Sequence, residues 1–278
     1  MNAPKVVIVG HVCIDHNTTE HAEYTKWGSI AMYMADYLQR GVQVKPAIIT
    51  TYGSDFIPHA KGFDLYPAAP QVESTLLNEN NTRGNKRIFY SHNVEHATPP
   101  VITPELAQLI GTADIFALAP LLPNYSADYV KDVVALVKPG ALRVLPLQGY
   151  LRDVDESGLI HPKGFTDAAH ILPLFDLAVM SDDDHPQAFE VARSWKNLSP
   201  MTNIIVTEGP LGASIVEKDT SHNIPTQPVP PQDIIDSVGC GDIFTAAVAY
   251  HYYQSHDMPA AIEAAHHAAR AKLTAKSN

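Results

Sequence analysis

Short β-branched runs alternate with helix-like stretches along this sequence, and that rhythm admits few architectures. Residues 5–10, Lys-Val-Val-Ile-Val-Gly, hold an unbroken apolar run of the kind buried on both faces of a parallel sheet. Residues 27–41 read as a helix that Ser29 caps and Gly41 ends, and residues 42–51 as the next strand. A glycine turn follows at Gly53, with Asp55 expected to cap a short helix. Beyond Pro99-Pro100 the alternation becomes regular. Thr103 caps a helix with Pro104 at its first position, and 126–138 is a second helix closed by Pro139-Gly140. Residues 114–119, 142–147 and 176–180 are strands. This spacing implies an α/β fold, a parallel sheet covered on both faces by helices. Residues 71–97 break the rhythm with a hairpin whose turn is rich in Asn and Gly. Residues 224–231 form a proline-broken edge, and Pro259 opens a last helix reaching Lys272.

The stretch with the most chemistry is Asp236-Ser237-Val238-Gly239-Cys240-Gly241-Asp242, followed by an apolar helix. Two glycines around one small residue let backbone N–H groups turn into a single concavity. The helix adds its positive end and its unpaired N–H groups, so the turn suits an anion, phosphate above all. Asp242 stands at that mouth, where its charge repels phosphate. It either caps the helix or accepts the proton of a hydroxyl aimed at the phosphate. After the first strand, Gly10-His11-Val12-Cys13-Ile14-Asp15 lacks the further glycines of a dinucleotide-binding turn, which sets a Rossmann oxidoreductase aside.

These residues resemble the ribokinase, or PfkB-type carbohydrate kinase, family. Residues 236–242 are similar to its Asp-Thr-x-Gly-Ala-Gly-Asp signature, with Cys240 in place of the usual Ala. The resemblance implies that Gly239, Cys240 and Gly241 form an anion hole and that Asp242 is the catalytic base. It implies that Asp15 holds substrate hydroxyls. It gives residues 27–34 the place of the family's Gly-Gly-x-x-x-Asn-x-Ala helix, with Gly28 matching the second Gly. Trp27 and Met32 replace the first Gly and the Asn there, which points to a substrate other than plain ribose. Thr207, Gly209 and Gly212 resemble the nucleotide loop and, with Asp236, would serve the cofactor. Ser181 to Asp184 resembles the family's Asn-x-x-Glu motif, with Asp184 as the Mg²⁺-side residue; the same residues also read as a helix cap. The implied fold is a ribokinase-like three-layer α/β/α sandwich with a mostly parallel sheet. It would be one domain over residues 1–278, with a small β lid from about 12–27 and 71–97. The implied reaction is ATP-dependent phosphorylation, with Mg²⁺, of a sugar, cyclitol or nucleoside. Lid strands of that family often pair between subunits, which implies a homodimer.

Bulk properties narrow the partners. A net charge of −11 without a long basic run argues against nucleic acid and anionic membranes. The apolar run at residues 6–9 is too short for a signal segment or a bilayer span. Two cysteines make no disulfide framework, and the cytoplasm is the expected compartment. The 14 histidines fall into no zinc spacing. Two other readings stay open. One is a nucleotide or metabolite sensor that has lost phosphoryl transfer. The other is a kinase of a phosphorylated sugar, for which Arg83, Lys86 or Arg87 would meet the extra phosphate.

Overall fold

The computed structural model describes residues 3–18, 23–83 and 86–275. The chain begins with β1 (Val6–Gly10), then β2 (Cys13–Thr18), β3 (Glu23–Gly28) and α1 (Ile30–Gly41). Next come β4 (Ala47–Ile49), β5 (Asp64–Tyr66), β6 (Leu76–Arg83), β7 (Lys86–His92), α2 (Pro104–Gly111), β8 (Ile115–Ala119), α3 (Ala127–Ala135) and β9 (Leu142–Pro146). A short hairpin, β10 (Arg152–Val154) and β11 (Ile160–Pro162), precedes α4 (Ala168–Ile171), β12 (Leu177–Ser181), α5 (Ala188–Leu198) and β13 (Asn203–Thr207). The chain finishes with β14 (Ala213–Val216), β15 (Ser221–Ile224), α6 (Cys240–Ser255) and α7 (Met258–Thr274).

Nine strands form the main sheet in the order β15-β14-β13-β12-β9-β8-β1-β4-β5. Seven run parallel, and β14 and β15 close one edge antiparallel. Alternate residues of a strand serve opposite layers. Val6 and Ile8 join the apolar cluster with α1, α6 and α7, whereas Val7 and Val9 join the one with α2, α3, α4 and α5. The result is the expected α/β/α sandwich. The unbroken run in β1 is thus explained, since every one of its residues is buried.

A second sheet of four strands, β3-β2-β6-β7, grows from the segment after β1. Its strands come from the two stretches expected to form the lid, about residues 12–27 and 71–97. In it β2 pairs antiparallel with β3 and parallel with β6, and β6 and β7 form the hairpin.

Local details depart from the sequence reading. Trp27 and Gly28 end β3 and the helix starts only at Ile30, because Ser29 accepts a hydrogen bond from the Met32 N–H as an N-cap. The strand expected over 42–51 shrinks to Ala47–Ile49. Val44 N–H still bonds to the Leu38 carbonyl at the end of α1, and Pro46 has no N–H to give to a ladder. Asp55 does not cap its short 3-10 turn; its carboxylate accepts from the N–H and hydroxyl of Thr75, at the start of the hairpin. The last helix is capped by Asp257, which accepts from Ala260 N–H.

Candidate functional site

The signature turn is shaped by Gly239, the N-cap of α6, at φ 82°. That left-handed backbone suits glycine. A Cβ there would also run into the ring of Tyr33 on α1. Gly241 differs, because a Cβ built on it meets nothing within 4 Å. The space in front of it is therefore open, as a phosphate seat requires. No side chain caps this helix, so its sixteen residues bring a positive end to an uncapped turn. These features fit a phosphate group.

Asp236 ties the turn to two other elements. Its Oδ1 accepts from Val238 N–H at 2.9 Å, and its Oδ2 accepts from Lys272 Nζ of α7 at 2.9 Å. Lys26 Nζ, from β3, stands 3.9 Å from the same Oδ2. Burial would raise the Asp236 carboxyl, but the Lys272 hydrogen bond, the Val238 N–H and both lysine charges outweigh it and hold it below the usual range. Burial lowers Lys26. Lys26 also lies over the Tyr33 ring, 4.9 Å from its centroid. Cys240 is half-buried, and burial pushes its thiol up to about 12, so it stays a protonated small residue in the turn. Asp242 sits in the first turn of α6 and is partly exposed.

Across from the turn, the small sheet carries a buried polar row. Lys26, Asp15, Asn78 and Ser91 are successive register partners on β3, β2, β6 and β7. Ser91 Oγ donates to Asn78 Oδ1 at 2.7 Å, and Asn78 Nδ2 donates to Asp15 Oδ1 at 3.3 Å. The Cys13 thiol donates to the same Asp15 oxygen at 3.2 Å. A second row follows one pleat away, where Asn80 Nδ2 donates to Asn17 Oδ1 at 3.0 Å. Asp15 is only 4% exposed and Asn78 2%. Gly28 is required here for space, since a Cβ on it would overlap the Asp15 carboxyl. Burial, then the negative charges of Asp15, Asp236 and Asp242, hold the Tyr33 phenol well above its ordinary range. Tyr33 thus stands in the field of both expected carboxylates, Asp15 and Asp242.

The remaining expected residues are placed differently. Trp27 packs edge-on against Tyr33 and Phe63. Met32 is fully buried in the main apolar cluster. The Arg83, Lys86 and Arg87 side chains lie outside the described residues. Thr207 ends β13, and Gly209 and Gly212 form the turn into β14 with φ of 53° and 112°. Asp184 closes a capping box, accepting from Ser181 N–H at 2.8 Å and from Gln148 Nε2 at 3.3 Å. Each of its oxygens thereby holds one hydrogen bond, and these contacts display the helix-cap role. Among the described residues no group of three or more His, Cys, Asp or Glu could hold a metal ion.

Several residues escaped the sequence reading. Lys26, Lys272 and Tyr33 carry no motif, and only the fold brings them to the turn. Arg152, with Phe89 against it at 4.8 Å, puts its charge on both Cys13 and Asp184. Asn78 and Asn80 did leave a signal: polar residues two apart in a strand, matching Asp15 and Asn17, mark a polar face.

Comparison with known proteins agrees with this fold. Residues 73–278 match the family model described as pfkB family carbohydrate kinase. None of the curated proteins matches the chain in sequence. Among solved structures, a pyrophosphate-dependent kinase of the ribokinase family, complexed with a pyrophosphate analogue and myo-inositol, is similar at TM-score 0.76 and 15% identity. The match covers 96% of this chain and 94% of that one. Arabidopsis thaliana ribokinase with ribose and ATP is similar at 0.73 and 14%, covering 99% and 94%. Apo adenosine kinase from Trypanosoma brucei brucei is similar at 0.68 and 12%, covering 99% and 100%.

Proposed function

Because the chain belongs to the pfkB carbohydrate kinase family, we propose that it transfers a phosphoryl group from ATP to a hydroxyl of a small polyhydroxylated molecule, a sugar, cyclitol or nucleoside. The observation that carries this reading is the meeting of the signature turn and the polar row around Tyr33, whose ring rests on Gly239 and whose phenol feels Asp15 and Asp242. In the proposed step the substrate oxygen attacks the terminal phosphorus and the bond to the leaving phosphate breaks. Asp242 takes the hydroxyl proton, and the backbone at Gly239, Cys240 and Gly241 stabilises charge on the transferred group. Asp15 and Asn78 orient the acceptor, Asp15 accepting from its hydroxyls. Thr207, Gly209 and Gly212 lie on the donor side, and Asp236 holds the turn in shape. Mg²⁺ would arrive with the donor phosphates and neutralise them. The four-stranded sheet is the lid of a single ribokinase-like unit and excludes water when it closes.

The test is donor consumption by the pure protein with Mg²⁺ against pentoses, hexoses, cyclitols and nucleosides. Inorganic pyrophosphate runs beside ATP, since one similar structure is described as pyrophosphate-dependent. A substrate-dependent rate is expected. Asp242→Asn should keep the fold by circular dichroism and lose roughly 10²–10⁴-fold in kcat, the usual contribution of a general base. A near-wild-type rate in that variant sinks the assignment of the base. Donor binding without turnover across the panel favours the sensor.

A further inference from the structure

One polar atom at this site is left over. Tyr33 Oη is buried and has no hydrogen-bond partner among the described residues, and the residue as a whole is 2% exposed. Buried hydroxyls are nearly always paired, so an orphan calls for an explanation. The ring cannot swing away to find one. It fills the space beside Gly239, Trp27 packs edge-on against it at 5.2 Å, and Lys26 covers it. The phenol is thus fixed, beneath the Lys26 cation and in the field of the Asp15, Asp236 and Asp242 carboxylates.

We infer that Tyr33 is a substrate-binding residue that donates its phenolic hydrogen to an oxygen of an uncharged hydroxyl held by Asp15. The inference rests on the reading of the site as one for a polyhydroxylated acceptor. Its logic is one of donors and acceptors. The two carboxylates, Asp15 and Asp242, only accept. A hydroxyl that gives its proton to one of them still has lone pairs to satisfy, and the phenol beside them supplies the donor. A substrate phosphate or carboxylate has no proton to give and would face like charge. The two carboxylates therefore select a neutral polyol over its phosphorylated or acidic counterparts, and Tyr33 supplies the donor that completes that polyol's hydrogen bonds. Because burial and the surrounding charges hold its phenol well above the ordinary range, Tyr33 keeps its proton at neutral pH.

The experiment uses Tyr33→Phe in the full chain, which removes only the oxygen. The first readout is ligand-induced thermal shift with a panel of pentoses, hexoses, cyclitols and nucleosides and, beside them, hexose and pentose phosphates. The wild-type protein should respond to at least one neutral polyol and not to its phosphate ester. The variant should need about threefold to tenfold more of that polyol for the same shift, as for loss of one uncharged hydrogen bond. Without ligand its melting temperature should be unchanged or higher, because no partner is lost; a purely structural tyrosine would lower it. Where turnover is seen, acceptor KM should rise by the same factor while donor KM stays put. An equal response in both proteins overturns the inference. So does a rise in donor KM alone, a preference for the phosphate ester, or no response to any polyol in either protein. Polyol binding weakened by Tyr33→Phe, with no phosphoryl transfer by the wild-type protein, would instead sink the kinase reading and leave the inference standing.

Discussion

Gly239 and Gly241 stand two residues apart in one turn and are glycine for different reasons. Gly239 needs both a left-handed backbone and room for the Tyr33 ring. Gly239→Ala should therefore cost about 1–3 kcal/mol, the range for a non-glycine residue held in a sparsely populated conformation, and lower the melting temperature by several degrees. Gly241 has neither constraint and lies in the first turn of α6, where Ala is the better helix former. Gly241→Ala should hold or raise the melting temperature while donor KM rises, because the methyl would enter the proposed phosphate seat. Thermal melts and donor titrations of the pair check this, and a Gly241→Ala protein with unchanged donor KM would take the phosphate seat away from that residue. At this scale the sequence was informative wherever a residue type is forced by backbone or space, as at Gly28, Gly239 and the Ser29 cap. It was silent on Tyr33 and Lys26, whose importance comes from what the fold places next to them. At Met32 a place in a motif says nothing about which face of α1 the side chain occupies, and the structure puts it in the apolar cluster.

Elements meet at single side chains here. Asp236 joins the turn before α6 to α7 through Lys272 and faces β3 through Lys26. Folding holds this carboxyl below its ordinary pKa, so its contribution to stability is complete above the unfolded carboxylate range and is lost as acid protonates the folded group. The melting temperature of Asp236→Asn should fall short of the wild type by a constant margin at neutral pH, and the margin should shrink below about pH 4, near the unperturbed Asp value. A margin that widens in acid would contradict the sign. The sequence did not expose this junction. Asp236 is visible as the first residue of a signature, but Lys26 and Lys272 belong to segments with no periodic reason to converge. Strand lengths were legible only in part. The residues of β1 read clearly because burial on both faces leaves an unbroken apolar run. The strand at Ala47–Ile49 did not, because the preceding residues resemble a strand in composition yet fold back on α1.

Across the whole molecule the nine-stranded sheet is packed on both faces, whereas the four-stranded sheet carries polar rows across its strands. Ligand should therefore act on the two sheets unequally. Amide exchange followed by mass spectrometry should slow in β2, β3, β6 and β7 and in the turn before α6 when acceptor and donor are added together, with β8, β9 and β12 unchanged. Uniform protection would argue against a lid. The fold as a whole was legible because alternation of strand and helix is a global pattern, and the hairpin stood out by breaking it. The helix that begins at Ile30, the turn at Gly239 and the last helix are brought into one place by strands that the chain visits in a different order. Asp236, held between Lys26 and Lys272, is a clasp between parts of the polypeptide made early and late. A ribosome-bound chain lacking α7 would carry the aspartate, the glycines and the polar sheet, yet its turn would have no lysine from behind to fix it. The turn is thus fixed only after α7 has been made, long after Lys26 and the polar sheet that it faces.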